Sequence, residues 1–402
     1  MVKLDDTIEH LYKIKVEVDI MIAALILAIG LVLVFLAISQ RNKIMIWLLL
    51  FYMIIIFAFC NGGNPDLEIY TWQYNDKIYS KAFLFDFLMW LFKSIGFSFI
   101  AFKTFVGVFV ISILYKTIKE TTSYVAVVLG LFTIFPFMST IAQLRNGMMM
   151  VIVFSAIVSF IHDPKHNTIR YIIKILVAAL IHPVALFYLV FLLTKVDYKK
   201  KKKSTIALVL FGIVAIEFCV ANNLLYDFVK LFIKNEKYLV YFDYATIMEQ
   251  TTSEVLNWKG KLLPMIGQTM GYFCFRSIYK DFRNKLIANQ GNKEILIRSK
   301  HGVGYCFNVH QLDMINAMLL LMFWILPFYM LNPTYFRMFK NVALLIYIVD
   351  AQYLYYTYSI GKRTNRAIER HLMIVLYAFL AQIMTVYSQG HFFEMLESFS
   401  FF

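Results

Sequence analysis

Four short groups of residues have the types and spacing for acid–base chemistry and anion binding. The first is Asn64-Pro65-Asp66-Leu67-Glu68-Ile69-Tyr70 through Tyr74. Asn64 suits a helix N-cap and Pro65 the first helical position, which sets Asp66, Tyr70 and Tyr74 at i, i+4 and i+8 on one face. A carboxylate there can act as general base toward a hydroxyl, with the tyrosines lining a sugar site. The same pattern fits an Asp66 that complements the helix dipole beside an interfacial aromatic belt. The second group is Gln143-Leu144-Arg145-Asn146-Gly147, which interrupts an apolar run from 123 to 161. The planar guanidinium of Arg145 can hold a phosphate in a partly dehydrated site, or snorkel to outer headgroups. The third is His182, whose near-neutral reference pKa permits proton transfer, although a lone histidine also serves as a cap or packing residue. The fourth is Tyr335-Phe336-Arg337, where the arginine is either a functional cation or an interfacial anchor. Asp350 and Glu217 lie within apolar runs and have no partner that the sequence alone identifies.

The elements that must position these groups are membrane helices. Of 402 residues, 60% are hydrophobic and 16% charged, whereas a soluble domain is nearer about half and about a quarter. A formal charge of +14 on so apolar a chain points to an asymmetric membrane protein rather than a nucleic-acid binder. Continuous apolar runs without alternation exclude a barrel. The expected fold is an all-α polytopic bundle, one membrane domain over 1–402, with twelve crossings at about 20–38, 44–60, 97–115, 123–139, 147–161, 169–181, 183–195, 205–221, 262–279, 311–329, 340–358 and 371–388. Residues 83–95 are apolar but short and carry Asp86, so they read as an interfacial or re-entrant helix within an outer loop at 61–96. A large outer loop at 222–261 and a basic inner loop at 280–310 complete the layout. Tyr238, Tyr241, Tyr244 and Trp258 of the large loop fit either sugar stacking or an interfacial belt.

Charge decides how 169–195 is threaded. A single crossing would put either Lys165 and Arg170, or Lys195 with the run Lys199–Lys203, on the outer side, against the positive-inside rule. Two short helices meeting at His182-Pro183 keep both loops inside. Pro183 removes a donor and disfavours helix at the residue before it, while suiting the first turn of a new helix. Each arm of about 13 residues then reaches roughly 20 Å, short of a hydrocarbon core of about 30 Å, so the apex sits in a recess. With this threading the inner loops hold 23 basic against 6 acidic residues and the outer segments 14 against 16, placing both termini outside. Residues 1–19 lack the basic start and cleavage site of a secretory signal, so the first apolar run reads as a retained span. Cys60, Cys219, Cys274 and Cys306 show no metal-type spacing, and neither disulfide nor structural metal is expected. No P-loop, GxGxxG, HExxH or GxSxG occurs, so chemistry belongs among the helices and their outer loops.

At the four groups the chain resembles the EpsG family of Wzy-like exopolysaccharide and capsule polymerases. The shared features are Asp66/Tyr70/Tyr74 after an early span, Gln143/Leu144/Arg145/Gly147 opening a middle span, an embedded His182 followed by small residues, and the late Tyr335-Phe336-Arg337. Their order runs from about 60 to 340. Pro183 stands where the family often has Ser, which strengthens the break inferred from charge. The resemblance implies a GT-C-like bundle in the bacterial cytoplasmic membrane that joins undecaprenyl-diphosphate-linked repeat units at its outer face. It assigns Asp66 or His182 as base, Arg145 and Arg337 to the leaving diphosphate, and Tyr70, Tyr74 and Gln143 to the sugars. Two arginines can neutralise the leaving group, so the reaction is expected to need neither metal nor cofactor. Expected partners are the lipid-linked oligosaccharide, membrane lipids, a flippase and a chain-length regulator, with no nucleic acid. Three other readings fit a chain of this kind: an O-antigen-ligase-like transferase, a membrane O-acyltransferase, and a non-enzymatic lipid-oligosaccharide flippase. The acyltransferase needs a cytoplasmic thioester donor, and the flippase needs midplane charges and inverted repeats, neither of which stands out.

Overall fold

The structure, a computed structural model, describes residues 28–36, 43–59, 65–76, 82–195, 202–230, 258–290, 295–299, 302–359 and 365–388. Both chain ends, the lysine run at 199–201 and Tyr238, Tyr241 and Tyr244 lie outside the described residues, as do most of the 222–261 loop and the cap Asn64. Five helical stretches are long and apolar enough to cross a membrane, at 99–121, 144–162, 204–221, 309–329 and 365–385. Three shorter apolar helices, at 43–59, 125–134 and 183–195, add to them. The chain is thus a helical membrane protein.

The N-terminal half is a chain of short and long helices: α1 Lys43–Phe59, α2 Pro65–Asp76, α3 Phe83–Ser94, α4 Phe99–Thr121, α5 Val125–Ile134, α6 Phe137–Ala142, α7 Leu144–His162 and α8 Thr168–Ile181. Helix α3 has 12 residues, about 18 Å, too short to cross a core of about 30 Å. Its Phe83, Phe87 and Trp90 are exposed while Phe85, Asp86 and Met89 are buried, the two-faced character of an interfacial helix. Asp86 therefore faces protein.

The segment 123–139, expected as one span, is broken. Helix α5 stops at Ile134, Phe135 is extended, and α6 restarts at Phe137. Pro136 supplies the reason: it donates no backbone N–H and keeps Phe135 out of helical conformation. Its own carbonyl accepts from the hydroxyls of Ser139 and Thr140 at 2.8 and 3.0 Å.

The break at His182 is present, with His182 extended at φ −148° and ψ 116° between α8 and the segment Pro183–Lys195. That second arm is a 3-10 helix of 13 residues. At about 2.0 Å per residue it reaches roughly 26 Å, longer than an α-helical arm. The arms pack on each other, and the Tyr171 hydroxyl donates to the Tyr188 carbonyl at 2.5 Å.

The C-terminal half comprises α9 Lys202–Ala221, α10 Leu224–Lys230, α11 Trp258–Gln290, α12 Val309–Leu321, α13 Leu326–Leu331, α14 Phe336–Ser359 and α15 Asn365–Ser388. One feature departs from an all-α fold. Ile295–Ser299 and Gly302–Cys306 form an antiparallel pair, β1 and β2, with Ile295 opposite Cys306 and Ser299 opposite Gly302. Strand edges exclude it from lipid, in keeping with its place in the basic 280–310 loop.

Helix α14 is the centre of the molecule. From Phe336 to Thr357 every residue is buried except Arg337. A helix enclosed on all sides has no lipid-facing stripe to satisfy, so Lys340, Asn341, Asp350 and Gln352 can point into protein. Within this core, acids meet basic side chains: Arg283 with Asp313 at 2.8 Å, Arg370 with Asp281 at 2.5 Å and His371 with Asp350 at 2.6 Å. Asp350 thus has a partner that sequence spacing did not identify.

Candidate functional site

The four groups separated in sequence meet at one end of α14. Asp66, in the first turn of α2, accepts a hydrogen bond from Arg337 Nη2 at 3.0 Å across 271 residues of chain. Both side chains are about one-third exposed, so this is a partly wet ion pair. Pro65 opens α2 at its first helical position, and an acid at a helix N-terminus is favoured by the dipole. Asp66 thus satisfies both the dipole reading and an engagement with the late arginine.

Tyr70 lies one turn along α2 with its ring packed on Phe85 at 5.5 Å between centroids. Desolvation raises its hydroxyl above the usual tyrosine range, opposed by Arg145 and Arg337 and assisted by Asp66, with the Arg145 backbone beside the oxygen. The hydroxyl therefore stays protonated among the charged groups. Tyr74 is on the same buried face but belongs to packing: its hydroxyl donates to the Phe97 carbonyl at 2.8 Å, and its ring lies against Phe99 and Phe102. Only the first of the two tyrosines reaches the charged groups.

Arg145 occupies the first turn of α7, whose N-cap Gln143 makes no side-chain capping bond. A cation at a helix N-terminus works against the dipole, while the same terminus attracts anions. An arginine at this position suits the binding of a negative group. Every polar member of Gln143-Leu144-Arg145-Asn146-Gly147 has a place. The Gln143 amide oxygen accepts from Lys340 Nζ at 3.1 Å, and both groups are buried. Asn146 and Asn341 exchange amide bonds at 3.1 Å in each direction, and Asn341 also donates to the Tyr188 hydroxyl at 3.1 Å. That hydroxyl in turn donates to the Met338 carbonyl at 2.8 Å. These bonds fasten α7, the 3-10 arm and α14 directly beneath the arginines. Gln143, expected to face sugar, is instead buried and committed to Lys340.

Gly147 is set by a close approach: a Cβ there would lie 2.8 Å from Thr140 Cγ2 and 3.2 Å from the Thr140 carbonyl oxygen. Gly147→Ala is expected to destabilise the protein by about 1–3 kcal/mol through overpacking against α6. A lowered unfolding midpoint in detergent, with no change in membrane insertion, is the measurement.

His182 sits at the break between the two arms, within electrostatic reach of Arg145 and Arg337. Desolvation, with those two cations adding, holds its imidazole down to about 3. The Val184 N–H points at His182 Nδ1 over 3.4 Å, so the neutral ring carries its proton on Nε2. In this state His182 can donate a hydrogen bond to a substrate oxygen but offers no free Nε2 lone pair.

Asp66, Tyr70, Arg145, His182 and Arg337 thus gather in one place. Sequence reasoning missed Lys340. As the first residue of an apolar run, it reads as a rim anchor, and its spacing of i+3 from Arg337 is the signal that could have drawn it in. Among the described residues no group of His, Cys, Asp and Glu has the makings of a metal site.

No curated protein and no solved structure matches the chain. The model of the EpsG family matches residues 44–397 of 402, a span that takes in all four groups, and the chain belongs to the EpsG family.

Proposed function

We propose that this protein is a polysaccharide polymerase of the outer face of the bacterial cytoplasmic membrane. It transfers a growing glycan from undecaprenyl diphosphate to a sugar hydroxyl of an incoming lipid-linked repeat unit. The observation that carries this reading is the convergence of Asp66, Tyr70, Arg145, His182 and Arg337 from four distant segments at one end of α14. Glycosyl transfer of this type needs a base at the acceptor hydroxyl and cations at the leaving group. Asp66, partly exposed, takes the first role. Arg145 and Arg337 take the second, with α7 adding its N-terminal dipole. His182, neutral and protonated on Nε2, donates to a substrate oxygen rather than acting as base, and Tyr70 lines the acceptor side. In this reading the bundle is GT-C-like with about a dozen crossings, both termini lie outside, the reaction uses no metal, and a flippase and a chain-length regulator supply and terminate the substrate.

Purified full-length protein in nanodiscs should elongate synthetic lipid-diphosphate-linked repeats without any other protein. Arg145→Ala is expected to abolish elongation with insertion intact. Transfer of finished glycan to a different acceptor, with no lengthening of the lipid-linked chain, would replace polymerase with ligase. Vectorial movement of lipid without bond formation would identify a flippase.

A further inference from the structure

Lys340 lies one helical turn inward of Arg337 and is 1% exposed. Its ammonium has three donors, and among the described residues the acceptor they meet is the uncharged Gln143 amide oxygen at 3.1 Å. No carboxylate oxygen among those residues lies within bridging distance of this nitrogen. The charges that act on it are Arg337, which repels it, and Asp66, which attracts it more weakly. An anchoring lysine would extend its stem toward the headgroups; this one turns inward to the start of α7. A buried cation held by one neutral group is costly to maintain, and an arriving anion offsets that cost.

Resting on the polymerase reading above, we infer that Lys340 is a third cation of the donor site and makes it select a lipid diphosphate over a lipid monophosphate. The formal charges agree. Among these four groups, Arg145, Arg337, Lys340 and Asp66, Lys340 raises the formal balance from +1 to +2, the same single charge by which a glycosyl lipid diphosphate exceeds a glycosyl lipid monophosphate. Gln143 is then a positioning residue. Two residues before Arg145, it holds the lysine that arrives from the Arg337 helix.

The test is binding of a monoglycosyl undecaprenyl diphosphate and the matching monoglycosyl undecaprenyl monophosphate to full-length protein in zwitterionic nanodiscs. Wild type should prefer the diphosphate. Lys340→Met, which keeps length and removes the buried charge, should weaken diphosphate binding at least tenfold and leave monophosphate binding within about twofold. Its unfolding midpoint should be equal to or above that of wild type, since an uncompensated buried charge is gone. Gln143→Glu, nearly isosteric, gives Lys340 a resident counter-ion and should produce the same loss with the lysine in place. Unchanged diphosphate preference in both variants, with Arg145→Ala still impaired, overturns the role of Lys340 alone. A lower midpoint for Lys340→Met with preserved preference assigns the lysine to structure. Wild type that binds neither lipid overturns this inference together with the polymerase reading.

Discussion

Arg337→Ala is expected to lower the elongation rate by about 100- to 1,000-fold, the usual effect of deleting one preorganised donor from a developing negative charge. The variant should still insert and fold, because Arg337 is the one incompletely buried residue between Phe336 and Thr357. Lysine at this position keeps the charge but not the planar fork, so Arg337→Lys should fall between wild type and alanine. Because the guanidinium also holds Asp66 at 3.0 Å, its loss releases the carboxylate as well. Polymer length distribution in a deletion strain carrying the variant is the readout, and wild-type chain length would remove Arg337 from the site.

Asp66→Asn should act differently. The amide keeps the size of the side chain and an acceptor for Arg337 but cannot take a proton. Turnover is expected to fall by about 100- to 10,000-fold, the range for a lost general base. Donor KM should hold or drop, since Arg337 and Arg145 then face less negative charge before the lipid arrives. Measuring kcat and donor KM separately distinguishes the two functions of Asp66. A rise in KM with unchanged kcat would make it a clamp for Arg337 and pass the base to another group. A double-mutant cycle with Arg337→Lys measures how far the two residues act as a unit.

Much of the architecture is legible in the residues themselves. The break at His182-Pro183 follows from Pro183 and from the cations on either side, two independent constraints that agree. The break at Phe135-Pro136 rests on proline alone, because no charge near 123–139 forces a second loop, and an apolar run with one proline reads as a kinked span. The β1–β2 pair hides in a loop whose basic residues mark its side of the membrane and say nothing of its backbone. At the site, spacing picked out Asp66, Tyr70, Arg145, His182 and Arg337, since each is a polar residue at the end of an apolar run. Contacts between segments were not legible: i+4 and i+8 put Tyr70 and Tyr74 on one face, but only tertiary packing gives Tyr74 to the Phe97 carbonyl. Gln143 and Lys340 are the sharper case. Gln143 reads as a sugar ligand and Lys340 as an ordinary rim residue until α7 and α14 are brought together, and only then do they form a buried pair.

The enclosure of α14 also bears on how the protein is made. Asp350, near the middle of the helix, costs about 2.5–3.5 kcal/mol when a helix enters the bilayer alone, and Lys340, Asn341 and Gln352 add to that. With protein on every side, α14 recovers this cost as α5, α7, α11 and α15 close around it. Stable insertion of this helix therefore depends on tertiary assembly, and its neighbour α15, which brings His371 to Asp350, is the next to be synthesised.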